Sequence, residues 1–294
     1  MKILRRSIPF DPEMNRTCVS CGNTFKGRYC NECGERVLLE GEESLKVFFG
    51  EILNAFTFLD GKFFRTLKLT ITNPGRFTFE YSRGLRVPFM KPVSLFFVAN
   101  FIFYLFPFLT ANTLSTPLQY QHMSNFYGAN VPQIIEEKLE RTSMTREQLE
   151  KAYNTESLGL SKLLIIVLVF LLAVLFSIVN YKRSVYFANH LYFAFEYMTF
   201  FLFVNMIFLS IFMTGLLYAL HWLDAVSGQV INDSIFTWIF GLTTAFFLIH
   251  GIHTCYGQRW IVSIAKALLI IVLMPFVFTI YKSMLFYLTM WRIA

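Results

Sequence analysis

Charge is what this chain has least of. Asp, Glu, Lys and Arg make up only 15% of its 294 residues, against 55% hydrophobic and 18% aromatic side chains, too little to clothe a soluble domain of this size. The scarcity is uneven. From Val93 onward, long apolar runs are separated by short polar breaks, and that clustering, with a mean hydropathy of +0.50, reads as membrane spans. A secretory leader is also missing, because Met1–Phe10 has three basic residues and no apolar core before Asp11, Glu13 and Arg16; the N-terminus is expected to stay cytoplasmic. Cysteines number five, four of them in two CxxC pairs and Cys255 alone in an apolar run, which argues against an extracellular disulfide framework. No Gly-rich phosphate loop, GxSxG, paired-carboxylate arrangement or transporter-type internal repeat is present, so the motif-borne marks of the common enzyme and transporter classes are absent.

What is present begins with CVSCGNTFKGRYCNEC, Cys18 to Cys33. Two CxxC hairpins eight residues apart can set Cys18, Cys21, Cys30 and Cys33 at the corners of a tetrahedron around a metal with Zn–S bonds of about 2.3 Å. Zinc is the expected ion, ahead of rubredoxin-like iron or a pair of redox dithiols. Gly22 and Gly34 follow the second cysteine of each pair and allow tight turns, while Arg16, Lys26, Arg28 and Arg36 offset the negative charge of four thiolates. With every position filled by protein, the ion is structural. The module, with its flanks, occupies 1–42.

Residues 43–92 read as a juxtamembrane layer. Leu45, Phe48, Phe49, Ile52 and Phe56 share one helical face; Phe63, Phe64, Leu67 and Ile71 form a second stripe flanked by Lys62, Arg65 and Lys68; Asn73-Pro74-Gly75 ends that helix. Arg76, Arg83, Arg86 and Lys91 follow directly before the first long apolar run, and all seven cations are expected at lipid headgroups. A soluble helical layer packed beneath the membrane domain is the alternative. Residues 1–92 carry 15 Lys/Arg against 10 Asp/Glu, an excess that an anionic membrane surface explains as well as nucleic acid does; no nucleic-acid partner is expected.

The fold expected is all-α and polytopic, with a five-helix transmembrane domain over 93–294: spans 93–109, 163–181, 198–220, 235–256 and 261–281, the last kinked at Pro275. An extracytoplasmic loop, 110–162, should carry two short helices, Pro132–Arg141 and Thr145–Asn154. The basic clusters fall in 1–92, 182–197 and 257–260, whereas 221–234 has Asp224 and Asp233 with no Lys or Arg, and 110–162 carries six Glu. By the positive-inside tendency the N-terminus faces the cytoplasm of an inner membrane and the C-terminus lies outside it.

Five polar residues are expected at the cytoplasmic membrane face: His190 and Glu196 in NHLYFAFEYMTF, and His250, His253 and Arg259 in HGIHTCYGQRW. Ionisable groups at membrane depth face the bundle interior, a partner or water. His250 and His253 stand at i and i+3, so with His190 and Glu196 they offer donors for a metal or proton relay. The spacing matches no signature such as HExxH, and histidines at helix ends commonly anchor them; the structural role is the expectation. Asn100, Asn180 and Asn205 are expected to join helices.

The order CxxCG, YCxxCGE, TLK, NPG, EYSRGLRVPFMKP, NHLYFAFEYMTF and YGQRW resembles, over nearly the whole chain, a bacterial inner-membrane domain of unknown function with an N-terminal zinc ribbon. Its pattern corresponds here to Pro74-Gly75, Tyr81, Gly84-Leu85-Arg86 and Pro92. The family is richer in histidine where this chain has Glu196 and Tyr197, which implies that a histidine-cluster enzyme is disfavoured. The resemblance implies an architecture and no activity. Taken together, the residues predict a non-enzymatic membrane protein whose structural zinc module docks a cytosolic or membrane protein partner, in contact with membrane lipids. Alternatives are a small-molecule or lipid transporter with a cavity lined by His190, Glu196, His250 and Arg86, and a metalloenzyme using His190, Glu196, His250 and His253.

Overall fold

The computed structural model describes residues 11–18, 21–33, 61–105, 115–124, 126–181, 185–222 and 233–293. Expectations for Glu43–Leu59, Gly34, Arg36, Lys182-Arg183 and Asp224 lie outside those residues. The chain divides into two compact units, Met1–Asp60 and Gly61–Ala294.

In the first unit, β1 (Arg16–Thr17) pairs antiparallel with β2 (Thr24–Phe25), Arg16 opposite Phe25 and Thr17 opposite Thr24. The connection turns at Cys18–Asn23, where Cys18 N–H donates to Asn23 O at 2.8 Å and Gly22 N–H to Cys18 O at 3.0 Å. Gly22 takes φ 75°, a left-handed conformation that glycine adopts without a Cβ penalty. Among the described residues of this unit, Cys18, Phe25 and Cys30 form the buried apolar cluster.

The second unit is helical. Helix α1 spans Gly61–Thr72 and α2 Arg76–Ser82, joined by the Asn73-Pro74-Gly75 turn. The buried face of α1 is Phe63, Thr66 and Thr70, while Phe64 points outward at 56% exposure. Two small threonines join Phe63 on the inward face, a contribution hydrophobicity does not register; Thr66 Oγ1 donates to Lys62 O at 2.6 Å and accepts from Met90 N–H at 3.0 Å. A Schellman motif closes α2: Leu85 N–H donates to Glu80 O and Gly84 N–H to Tyr81 O, with Gly84 at φ 98°.

Helix α3 (Pro92–Leu105) buries Leu95, Phe96, Ala99, Asn100 and Phe103, one face at helical spacing. After two 3-10 turns, Leu118–Met123 and Gly128–Asn130, come α4 (Val131–Thr142) and α5 (Arg146–Val179). A capping box starts α5: Thr145 Oγ1 accepts from Gln148 N–H and Gln148 Oε1 from Thr145 N–H. The expected break after Asn154 is absent, and α5 runs unbroken into the apolar stretch. No proline interrupts it, and its polar first half packs through Tyr153, Ser157 and Ser161. Helix α6 (Phe187–Phe200), a π-helical stretch (Phe201–Phe208) and α7 (Leu209–Trp222) follow, then α8 (Asp233–Tyr256) and α9 (Trp260–Arg292).

Among the described residues, four helices are long and apolar enough to cross a membrane: Arg146–Val179, Phe187–Leu216, Thr237–Tyr256 and Trp260–Arg292. The chain is therefore an all-α, multi-pass membrane protein with an N-terminal cysteine cluster. Pro92–Leu105 is a shorter apolar helix. Its far end nonetheless reaches the start of the apolar run of α5, since Asn100 Nδ2 lies 3.4 Å from Lys162 O and Tyr104 OH 3.4 Å from Ser161 Oγ. The third span begins earlier than its hydropathy implies, at Phe187, because His190 and Glu196 are both buried with bonded partners and do not end the helix. Phenylalanines fill the centre: Phe96, Phe103, Phe176, Phe193, Phe200 and Phe247 are each at most 2% exposed. Phe170, Val174, Phe212, Leu242 and Val272 face outward, as lipid-facing residues should.

Candidate functional site

Cys18, Cys21, Cys30 and Cys33 bring their sulfurs within 4.8 Å of one another, and among the described residues they are the one group of three or more His, Cys, Asp or Glu that could hold a metal ion. Cys18 Sγ lies 3.4 Å from Cys33 Sγ and Cys21 Sγ 3.6 Å from Cys30 Sγ. Four sulfurs on a tetrahedron of about 2.3 Å bonds stand about 3.8 Å apart, so the cage fits a thiolate-bound ion with little movement. The Cys33 N–H, followed by that of Glu32, is directed at Cys30 and holds its thiol below the usual thiol range, whereas Cys21, despite the Asn23 N–H, is pushed up to about 12 by Cys33, by desolvation and by the other two thiols. The crowded sulfurs therefore do not all ionise unaided, and a bound cation would be what favours four thiolates. Asn23 adds a long contact to Cys30 Sγ at 3.9 Å and bonds Asn31 at 2.9 Å, bridging the two hairpins. Cys18 and Cys30 are buried, and Cys21 and Cys33 are exposed, so one edge of the cage faces outward.

In the helical unit the five polar residues do not form one ligand set. His190 Nδ1 sits 2.8 Å from Tyr256 OH, with the rings stacked. His253 Nδ1 donates to Gln258 O at 2.6 Å, its ring stacked 3.9 Å from Trp260, and His250 meets the same Trp260 edge-on. These bonds close the α8–α9 turn at Gly257, whose φ is 62°. Arg259 is exposed and precedes α9 as its N-cap.

Glu196 has a different task. Fully buried on α6, its carboxylate accepts from Gly75 N–H at 3.0 Å, Thr78 N–H at 3.0 Å and Thr78 Oγ1 at 2.5 Å. It thus caps the start of α2, where N–H groups have no helical partner. Gly75, at φ 78°, rests on α8: a Cβ there would lie 2.4 Å from Gly251 O. Gly251 is in turn covered by Phe193. The Pro74-Gly75 turn is therefore wedged between α6 and α8, a close approach open only to glycine. Sequence reading took these residues as a helix terminator; Gly251 and Thr78 carried no signal because their role needs a partner more than a hundred positions away.

Asn205, on the π-helical stretch, accepts from Thr243 Oγ1 at 2.6 Å and donates to Thr244 Oγ1 at 3.4 Å, while Gln258 Nε2 reaches Asn180 Oδ1 at 3.5 Å. Asn205 joins helices, as expected, and Asn180 ties the end of α5 to the α8–α9 turn. Lys62, Arg65, Lys68, Arg76, Arg83, Arg86 and Lys91 are all exposed; Arg76 pairs with Glu80, and Arg86 lies over the Tyr81 ring.

Residues 60–104 match the model of a family described as a protein of unknown function (DUF3667). The match covers α1, the Pro74-Gly75 wedge, α2 and nearly all of α3, the part of the chain that docks on Glu196 and Gly251. With the four apolar helices and the cysteine cluster, it fits an uncharacterised membrane family. No curated protein and no solved structure matches the chain.

Proposed function

We propose that this chain is a membrane-anchored docking protein: its cysteine module binds one zinc ion as a structural centre and presents a surface to a cytosolic or membrane protein partner, while the helical unit holds it at the bilayer. The observation that carries the reading is the cysteine cage: four protein sulfurs lie within 4.8 Å of one another, and as ligands of one zinc ion they would fill its tetrahedral shell and leave no open position for substrate. In the helical unit, the polar side chains capable of chemistry are instead occupied in structural bonds: Glu196 caps α2, His190 meets Tyr256 and His253 meets Gln258. On the charge distribution, the N-terminus is cytoplasmic, the membrane is the inner one, and α3 supplies a fifth crossing that puts the C-terminus outside. The seven exposed cations from Lys62 to Lys91 meet anionic headgroups.

Metal analysis of the detergent-purified chain should find one zinc per molecule, lost in Cys30→Ser and after chelation. Chelation should unfold the module and leave helical circular dichroism nearly unchanged. A photo-crosslinker at Lys26 or Tyr29 should trap a specific protein in a zinc-dependent manner. Crosslinks to lipid alone would remove the docking role, and a second ion lost in His250→Ala would move the assignment to a metalloenzyme.

A further inference from the structure

At the end of the bundle opposite Glu196, a cavity of about 490 Å³ opens between the Leu118–Met123 turn and α9. Its walls differ sharply in chemistry. Hydroxyl and amide groups come from Thr116, Tyr120, Gln121 and Ser124, and α9 adds Thr279 and Lys282. Among the described residues of the lining, Lys282 is the only charged one and none is a carboxylate. Below it, Pro275 and Phe276 give an apolar floor; Phe276 meets Phe126 edge-to-face at 6.3 Å, and both rings are more than half exposed.

The position of the groove relative to the apolar runs is set by its neighbours. Tyr281 OH donates to Ser161 O at 3.3 Å, and the apolar run of α5 starts two residues later at Leu163. Lys282 therefore stands where the hydrocarbon layer should end, and Phe276, six residues earlier on the same helix, lies about 9 Å deeper. The upper wall is preformed: Gln121, 2% exposed, donates to Thr116 O and Tyr153 OH and accepts from Tyr127 OH. A rigid, hydroxyl-lined recess with one cation at headgroup level and exposed aromatic rings beneath it is complementary to an anionic amphiphile.

We infer that this groove binds one anionic phospholipid from the surrounding leaflet, its phosphate held by Lys282 with the Tyr120 hydroxyl and the first carbons of an acyl chain lying along Phe276 and Phe126. The site is independent of the cysteine module, so its failure leaves the docking role untouched. Native mass spectrometry of the full chain, incubated with phosphatidylglycerol or with phosphatidylcholine of the same acyl chains, reads it directly. Phosphatidylglycerol should be retained about fivefold better, the ratio expected for one interfacial lysine. Lys282→Gln should abolish that preference, Thr279→Phe should reduce retention of both lipids by filling the groove, and Lys266→Gln, on the same helix outside the groove, should change nothing. Equal retention of the two lipids by the unaltered chain, which requires no variant to fold, would overturn the assignment. So would an unchanged preference in Lys282→Gln, an equal loss in Lys266→Gln, or displacement by millimolar inorganic phosphate, which would mark a site for a free anion.

Discussion

The two ends of the helical unit each pin a peripheral element to the bundle, and they do so with different chemistry. At one end a carboxylate, Glu196, gathers three donors from the Gly75–Thr78 turn. At the other a neutral amide, Gln121, joins Tyr127 and Tyr153, and aromatic packing does the rest: Tyr127 stacks on Phe286 at 5.5 Å, and Tyr153 lies 5.9 Å from the same ring. The difference follows from surroundings. Helix starts leave N–H groups unpaired, and at an apolar bundle wall the two oxygens of one carboxyl group supply acceptors for three donors at once. Where the polar first half of α5 meets α9, neutral bonds and ring contacts suffice. The contrast is between an anchor that depends on every donor and one spread over many contacts.

The sharpest way to break the first anchor is Gly75→Ala. Its Cβ would meet Gly251 O at 2.4 Å at a φ of 78°, so the turn must leave its seat, at a cost of about 4 kcal/mol from overpacking and left-handed strain together. Thermal unfolding in detergent should fall accordingly, with early proteolysis between Gly61 and Met90; an unchanged melt would mean the wedge is not a stabilising contact. Glu196→Ala should come next, at about 3 kcal/mol, because it leaves buried N–H groups without acceptors. Glu196→Gln, keeping one acceptor oxygen, should lose less. Equal losses in the two variants would show that side-chain volume, and not hydrogen bonding, sets the anchor.

At the other end Gln121→Ala should cost about 2 kcal/mol, with the Tyr127 and Tyr153 hydroxyls losing their shared partner. Hydrogen exchange should rise over Val131–Thr142 and stay unaltered over Arg76–Ser82; spreading of the change to both ends would refute their independence. Smallest of all, Arg292→Ala removes an exposed ion pair with Glu156 at 3.4 Å and should shift stability by less than about 0.5 kcal/mol. A loss of several degrees in melting temperature would assign that pair a role that its exposure does not account for.

Much of this architecture was legible in linear order. The cysteine quartet is local, since both CxxC pairs lie within sixteen residues, and ligand spacing alone predicts the cage. The later apolar runs announce their helices by length, and the helix over Pro132–Arg141 was read nearly as it stands, with Pro132 in its first turn. Three features were not legible. The inward face of α1 is built from Phe63, Thr66 and Thr70, and hydrophobicity cannot register a close-packed face built partly from small hydroxyls. The junction at Asn154–Leu163 looked like a loop, since nothing local shows that α9 extends past the apolar layer to support a polar half-helix. His190, Glu196, His250, His253 and Arg259 looked like one cluster because all approach the same end of the bundle, but the same end is not the same point.

By itself, then, the sequence determined that several long apolar segments must be hidden from water, where four thiols would gather, and which segments are too polar to lie in hydrocarbon. These are properties of composition and of spacing over a few residues, and burial free energy responds to them whatever the partner. Only the tertiary structure decided that Glu196 receives the N–H of Gly75, 121 residues away, that Gly75 and Gly251 touch, and that Lys282 overlooks a lined groove. Hydrogen bonds and close contacts act over a few ångströms in a direction set by the packing of whole helices, and no periodicity along the chain encodes which side chain will stand opposite.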